Sequence, residues 1–142
     1  MAAADSNVEI LRRAYEAWTQ SRGRSVDNWA AIASPDFVIR SLADAHEEGR
    51  FGGAPVGPEG MRRYLTDLVT HWIMETHEVD QFVAQGDTVV AVASTSWVNR
   101  ATNKRVACPL VDVWTFKDGM VTSVLELFDT AAMVKAATPD PG

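Results

Sequence analysis

The sequence predicts an α+β domain in which helices pack against one face of a curved antiparallel sheet. Three observations carry this: apolar residues recur at helical intervals in the first half of the chain, apolar–polar alternation takes over from about residue 75, and short turn signals separate the alternating runs. Ser6 and Glu9 have capping-box spacing, and Val8, Leu11, Tyr15 and Trp18 follow on one helical face until Ser21-Arg22-Gly23 ends the run. A short second helix is expected over 25–33, with Asp27 near its start and Ser34-Pro35 as its stop. Residues 36–42, rich in β-branched and aromatic side chains, read as a strand. The Gly- and Pro-rich stretch from Ala43 to Gly57 then reads as a long loop of the kind that forms lids or binding loops or is disordered. Pro58-Glu59 opens a third helix with Met61, Tyr64, Leu65, Leu68 and Trp72 as its buried stripe. Residues 75–85, 87–100, 106–116 and 120–128 read as four strands joined by Gly86-Asp87, Ala101–Lys104 and Lys117–Gly119. A terminal helix over 129–137 precedes a tail, 138–142, that is expected to be disordered, as are residues 1–5.

The 142 residues suit one hydrophobic core, so 1–142 is read as a single domain. A content of 46% hydrophobic and 23% charged residues is ordinary for a globular chain and excludes a fibrous or disordered one. Thirteen basic residues against nineteen acidic give a net charge of −6, which argues against nucleic acid and anionic membrane as partners. No apolar run approaches the ~18 residues that span a bilayer, and the start lacks a signal-peptide pattern, so a cytoplasmic location is expected. Cys108 is the single cysteine. It excludes an internal disulfide and a cysteine-based zinc site, and it suits a reducing compartment. His46, His71 and His77 lack metal-ligand spacing, so neither a metal nor a cofactor is expected.

The segment Lys117-Asp-Gly-Met-Val-Thr-Ser-Val-Leu-Glu-Leu-Phe-Asp-Thr-Ala131 carries a family resemblance. Together with Val56-Gly-Pro-Glu-Gly-Met61, His77-Glu-Val79, Gly86-Asp-Thr-Val-Val90 and Val111-Asp-Val-Trp-Thr-Phe116, it resembles the SnoaL-like and ketosteroid-isomerase-like proteins of the nuclear-transport-factor-2 superfamily. The likeness runs from about Asn7 to Ala136. It implies a cone-shaped sheet wrapped around the first helix, with a blind pocket at one end. Strand alternation, with Asp112 inward, then places Cys108, Leu110 and Trp114 inward on the same strand. Thr95, Trp97 and Asn99 follow on one neighbour, and Val124, Glu126 and Phe128 on the other. A mostly apolar, aromatic surface with a few convergent polar groups is the usual makeup of a small-molecule pocket.

Asp112 is similar to the oxyanion-hole aspartic acid of the ketosteroid isomerases, where an apolar site keeps the acid protonated and donating. Its alternative is a carboxylate at the exposed face or bonded to backbone. Glu126 would share the pocket wall and form an acid and base pair with Asp112, the alternative being a partner cation such as Arg40 or Arg100. Asp129 reads as the cap of the last helix, or as the working carboxylate that SnoaL-like cyclases carry in this region. Tyr15 resembles the helix tyrosine of the isomerase oxyanion hole, while Tyr15 and Trp18 read equally as core. His46, in the long loop, is the candidate for the pocket mouth, with surface solvation as its alternative; His71 and His77 read as structural, and Cys108 as a small buried thiol. Two departures stand out. Ser41 occupies the place of the isomerases' catalytic base, and Arg100-Ala-Thr102 is incomplete beside the Arg-x-Asp pair of limonene epoxide hydrolases.

The sequence thus points to a pocket for an apolar, carbonyl-bearing small molecule. Asp112, Glu126 and Asp129 are the candidate catalytic groups, and Trp97, Asn99, Leu110, Trp114 and Phe128 join Tyr15, Trp18 and His46 as ligand contacts. The expected chemistry is cofactor-free proton transfer, as in isomerisation, cyclisation or dehydration; the alternative is a non-catalytic ligand-binding or dimerisation module. Outward Val98, Ala107, Val111 and Val113 predict a two-fold homodimer.

Overall fold

A computed structural model describes residues 3–41 and 56–141. The first helix, α1 (Ala3–Ser21), begins three residues before the expected Ser6. Ala3 and Ala4 are strong helix formers and Asp5 complements the helix dipole, so these three residues of the stretch expected to be disordered are helical. Its buried stripe holds Leu11, Ala14, Tyr15 and Trp18. Gly23 ends the turn at φ 83°, its N–H donating to the Trp18 carbonyl at 3.0 Å. A Cβ there would stand 2.8 Å from Val69 Cγ1, so both the backbone angle and the close approach require glycine.

The short α2 (Val26–Ile32) runs directly into β1 (Ala33–Ser41), which starts earlier than the Ser34-Pro35 stop suggested. The strand tolerates Pro35 because its pairing is irregular there, with a register shift between Ala33 and Val38. Likewise α3 (Gly57–His71) leads straight into β2 (Trp72–Gln85), so Trp72 opens a strand and does not extend the helical stripe. Then follow β3 (Thr88–Asn99), β4 (Arg105–Lys117), β5 (Met120–Phe128) and α4 (Thr130–Ala137). Gln85 pairs with Thr88 and Lys117 with Met120, leaving two-residue turns at Gly86-Asp87 and Asp118-Gly119. Asp118 and Gly119 sit at φ 51° and 79°, the left-handed pair that matches strand twist.

The sheet order is β1-β5-β4-β3-β2. The last four strands form the expected antiparallel meander, and β1 lies parallel to β5 at the edge. The architecture is the expected α+β cone. Its concave side packs Leu11, Tyr15 and Trp18 of α1 against Met74, Ala91, Trp114 and Val124. Val90, Val113 and Leu125 form one cross-strand row on the convex side, and Val92, Val111 and Leu127 form the next. No helix among the described residues is long and apolar enough to cross a membrane.

The chain after α4 was expected to be disordered, yet Lys104 Nζ holds the Thr138 carbonyl at 2.7 Å and Asp140 Oδ1 at 2.6 Å. The entry to α4 is fixed by Asp129, whose Oδ1 accepts from the Ala132 N–H at 2.9 Å. Asp129→Ala removes this cap, and urea titration should show a loss of about 1 kcal/mol. An unchanged midpoint would mean that α4 is held by its packing alone.

Candidate functional site

Side-chain alternation brings three inward sets together at the concave face, and the helices roof them. The result is a cavity of about 340 Å³. From the strands it is lined by Thr95 and Trp97 on β3, Cys108, Leu110, Asp112 and Trp114 on β4, and Val124, Glu126 and Phe128 on β5. Tyr15 and Trp18 of α1 and Trp29 of α2 close one side. On the other side α3 contributes Met61, Tyr64, Leu65 and Leu68, with Asp67 and His71 at the exposed rim.

One row of residues crosses the whole sheet: Ser41, Glu126, Asp112, Ala91 and Phe82 are successive cross-strand partners from β1 to β2. Asp112 and Glu126 are therefore direct neighbours on the cavity face. Asp112 is 4% exposed. Its Oδ2 accepts from the Tyr15 hydroxyl at 2.5 Å, and the Tyr15 oxygen in turn accepts from Trp114 Nε1 at 2.8 Å. An indole N–H can only donate, so the Tyr15 proton is directed at the carboxyl. Burial pushes Asp112 up to about 7, while hydrogen bonds with Tyr15 and Glu126 pull it back. Burial, followed by the charge of Asp112, drives the Tyr15 phenol well above its usual range.

Tyr15 also touches two further polar side chains that line the cavity. His77 stacks on it at 5.7 Å with 19° between the rings, and Trp29 meets it edge-on at 4.9 Å. Burial lowers His77 to about 4, so the imidazole is neutral at pH 7. Its strand position is fixed by Thr19, whose hydroxyl donates to the His77 carbonyl at 2.5 Å. Asp112 Oδ1, His77 Nδ1 and Trp29 Nε1 are all buried without a hydrogen-bond partner. Three such atoms around one tyrosine in a cavity wall form a polar end that a ligand can satisfy.

Several candidate residues lie elsewhere. Asn99 faces no cavity: its Oδ1 accepts from the Ala101 and Thr102 N–H groups at 3.0 and 3.1 Å and closes the β3–β4 turn. Asp129 is the α4 cap and is absent from the cavity wall. His46 lies outside the described residues. Neither Arg40 nor Arg100 lines the cavity, and Arg100 Nε donates to the Val69 carbonyl at 3.2 Å. Cys108 is half-buried in the wall rather than fully buried in core. His77, read as structural, is at the cavity. It is the cross-strand partner of Thr95, which belongs to an inward set. Among the described residues no group of three or more histidine, cysteine, aspartate or glutamate side chains could hold a metal ion.

The family model of the SnoaL-like domain matches residues 11–124. No curated protein matches the chain. Among solved structures, a protein assigned as a SnoaL-like polyketide cyclase from Jannaschia sp. CCS1 aligns over 99% of this chain and 98% of its own, with TM-score 0.80 and 19% identity. An NTF2-like protein from Burkholderia xenovorans LB400 aligns over 96% and 98%, with TM-score 0.74 and 22% identity. An LEH-like epoxide hydrolase from M. tuberculosis aligns over 96% and 92%, with TM-score 0.70 and 15% identity. At these identities the likeness concerns the fold.

The two buried titrating groups act on stability in opposite senses. Asp112 is held protonated in the folded state, so its contribution is complete below pH ~4 and is lost as pH rises to about 7. His77 is held neutral, so its contribution is complete above pH ~6.5 and is lost as pH falls to about 4. Between those limits the two slopes offset. Thermal melts should therefore show Asp112→Asn gaining stability relative to wild type as pH rises from 4 to 7, and His77→Gln losing it over the same range. Parallel pH profiles for all three proteins would refute the assignment of both shifts.

Proposed function

The chain belongs to the SnoaL-like family, and from that premise we propose that its cavity binds an apolar, carbonyl-bearing small molecule and moves a proton on it without a cofactor. The observation that carries the reading is the Asp112–Glu126 pair in an otherwise apolar wall, with Tyr15 and Trp114 fixing one member. Two adjacent carboxyl groups in such a wall do not both ionise at low cost, so one holds a proton and the other is a base. Asp112 is the acid, because burial favours its protonated form near neutral pH. Glu126 is the base.

In the proposed step a C–H bond next to the carbonyl breaks and its proton passes to Glu126. The electron pair left on carbon becomes an enolate, whose oxygen is stabilised by a hydrogen bond from Asp112. Return of the proton from Glu126 to a different carbon gives isomerisation; attack of the enolate carbon on a second carbonyl gives cyclisation, the alkoxide formed there taking the proton back from Glu126. Asp129 is spoken for as a helix cap and takes no part. Proton loss is observable directly by NMR as exchange of the α-hydrogens of 4-phenylbutan-2-one in D₂O. Wild-type protein should accelerate it, and Asp112→Asn should slow it by about 100-fold or more while its melting temperature holds or rises. Exchange at the wild-type rate in Asp112→Asn would sink the acid role, and binding without exchange in wild type would leave a ligand-binding module.

The assembly we propose is a two-fold dimer through the convex side of the sheet. It is supported by the aliphatic rows Val90–Val113–Leu125 and Val92–Val111–Leu127, with Leu125 39% exposed and Val83 beside Val90 53% exposed. Cys108, unpaired in the chain, supports a reducing compartment such as the cytoplasm. Light scattering at micromolar concentration should give twice the chain mass of 15.5 kDa, and Leu125→Lys should give one chain mass. A wild-type monomer would refute the dimer.

A further inference from the structure

All five tryptophans and both tyrosines of the chain line this cavity. Its titratable lining is mostly acidic: Asp112 and Glu126 stand at the wall, Asp67 faces His71 across 3.5 Å at the rim, and among the described residues no lysine or arginine is present. Aromatic rings present negative faces, and a carboxyl pair sharing one proton keeps one negative charge at the wall. His77 adds no positive charge at neutral pH, being held neutral by burial. Such a lining repels carboxylates and phosphates twice over, by charge and by desolvation, and it solvates an organic cation through cation–π attraction and a counter-charge. We infer that the cavity selects ligands bearing a protonated amine on an apolar skeleton, with the Asp112–Glu126 pair as counter-ion and the indole rings as walls. This rests on the reading of the cavity as a small-molecule site, and it specifies which carbonyl compounds that site takes: amino-substituted ones, not acids.

Three probes of one skeleton separate the charges: 4-phenylbutan-2-amine is cationic at pH 7.5, 4-phenylbutan-2-one is neutral and 3-phenylpropanoate is anionic. Binding can be followed by intrinsic fluorescence, since every tryptophan lines the site, and confirmed by calorimetry. The amine should bind wild-type protein at least tenfold more tightly than the ketone, and the carboxylate more weakly than both. In the isosteric double variant Asp112→Asn/Glu126→Gln the advantage of the amine over the ketone should shrink to less than threefold. The wild-type ranking decides even if that variant does not fold. A ketone or carboxylate that matches or exceeds the amine overturns the cation preference and leaves the cavity reading intact. Failure of all three probes to bind overturns both.

Discussion

The hydroxyl of Tyr15 is the point on which the interior depends. Its oxygen takes the Trp114 N–H and its proton goes to Asp112, so one buried atom satisfies a donor on β4 and restrains a carboxyl on the same strand. A phenol, an indole and a carboxyl are each costly to bury alone, by about 1–3 kcal/mol for an unpaired neutral group and more for a charge. Joined in series they fix the angle at which α1 lies in the cone. The helix cannot rotate by one residue without breaking the hydrogen bonds to Asp112 and from Trp114 together.

That same arrangement explains why the polar end of the cavity is unfinished. Tyr15 can direct only one proton, and it leaves Asp112 Oδ1 without a partner. Its ring covers His77 without offering a hydrogen bond, so the imidazole is stripped of water and driven neutral. Native interiors rarely leave such groups unpaired, and where they do, the deficit is commonly tied to function. Three of the four such atoms among the described residues, all but Ser25 Oγ, surround one ring and one cavity. Elsewhere on the concave face Trp97 Nε1 finds an internal partner, donating to Thr95 Oγ1 at 2.6 Å.

How much of this was legible in the sequence follows from where the strand period holds. From Thr88 to Asn99 and from Arg105 to Thr115 the pairing is regular, and period-two alternation placed Thr95, Trp97, Leu110, Asp112 and Trp114 on the cavity face. The same logic failed at Asn99, which has the right parity but stands where the chain must turn, and a turn captures its amide. On β2 two register shifts, at Met74/Thr76 and Val79/Gln81, break the period on both sides of His77, so parity counted from either end misplaces it. Trp29, Met61 and Tyr64 were legible as helical core but not as cavity wall. Which side of a helix meets a void and which meets packed atoms depends on how neighbouring elements are spaced, and periodicity within the helix is silent on that. Helix propensity in Ala3 and Ala4, and the reach of Lys104 to the chain end, likewise outweighed the expectation that termini fray.

The row that crosses the sheet also bears on the chemistry. In the isomerases that the chain resembles, the base stands at the position of Ser41, and a hydroxyl there cannot take a proton from carbon. Yet Ser41 is the parallel cross-strand partner of Glu126, which is in turn the partner of Asp112. Adjacent strands lie about 4.8 Å apart, so a carboxylate on β5 stands one strand nearer to the acid than one on β1 would. In the proposed mechanism this spacing couples the two carboxyls, so that their protons do not leave independently and the pair carries one charge. A single negative charge in a wall of indole rings is a different electrostatic environment from two separated groups with separate roles. A fold can be shared by proteins of several activities, and on the proposed reading the place of one carboxylate along a single row of the sheet sets both the charge that a ligand meets and the proton that it exchanges.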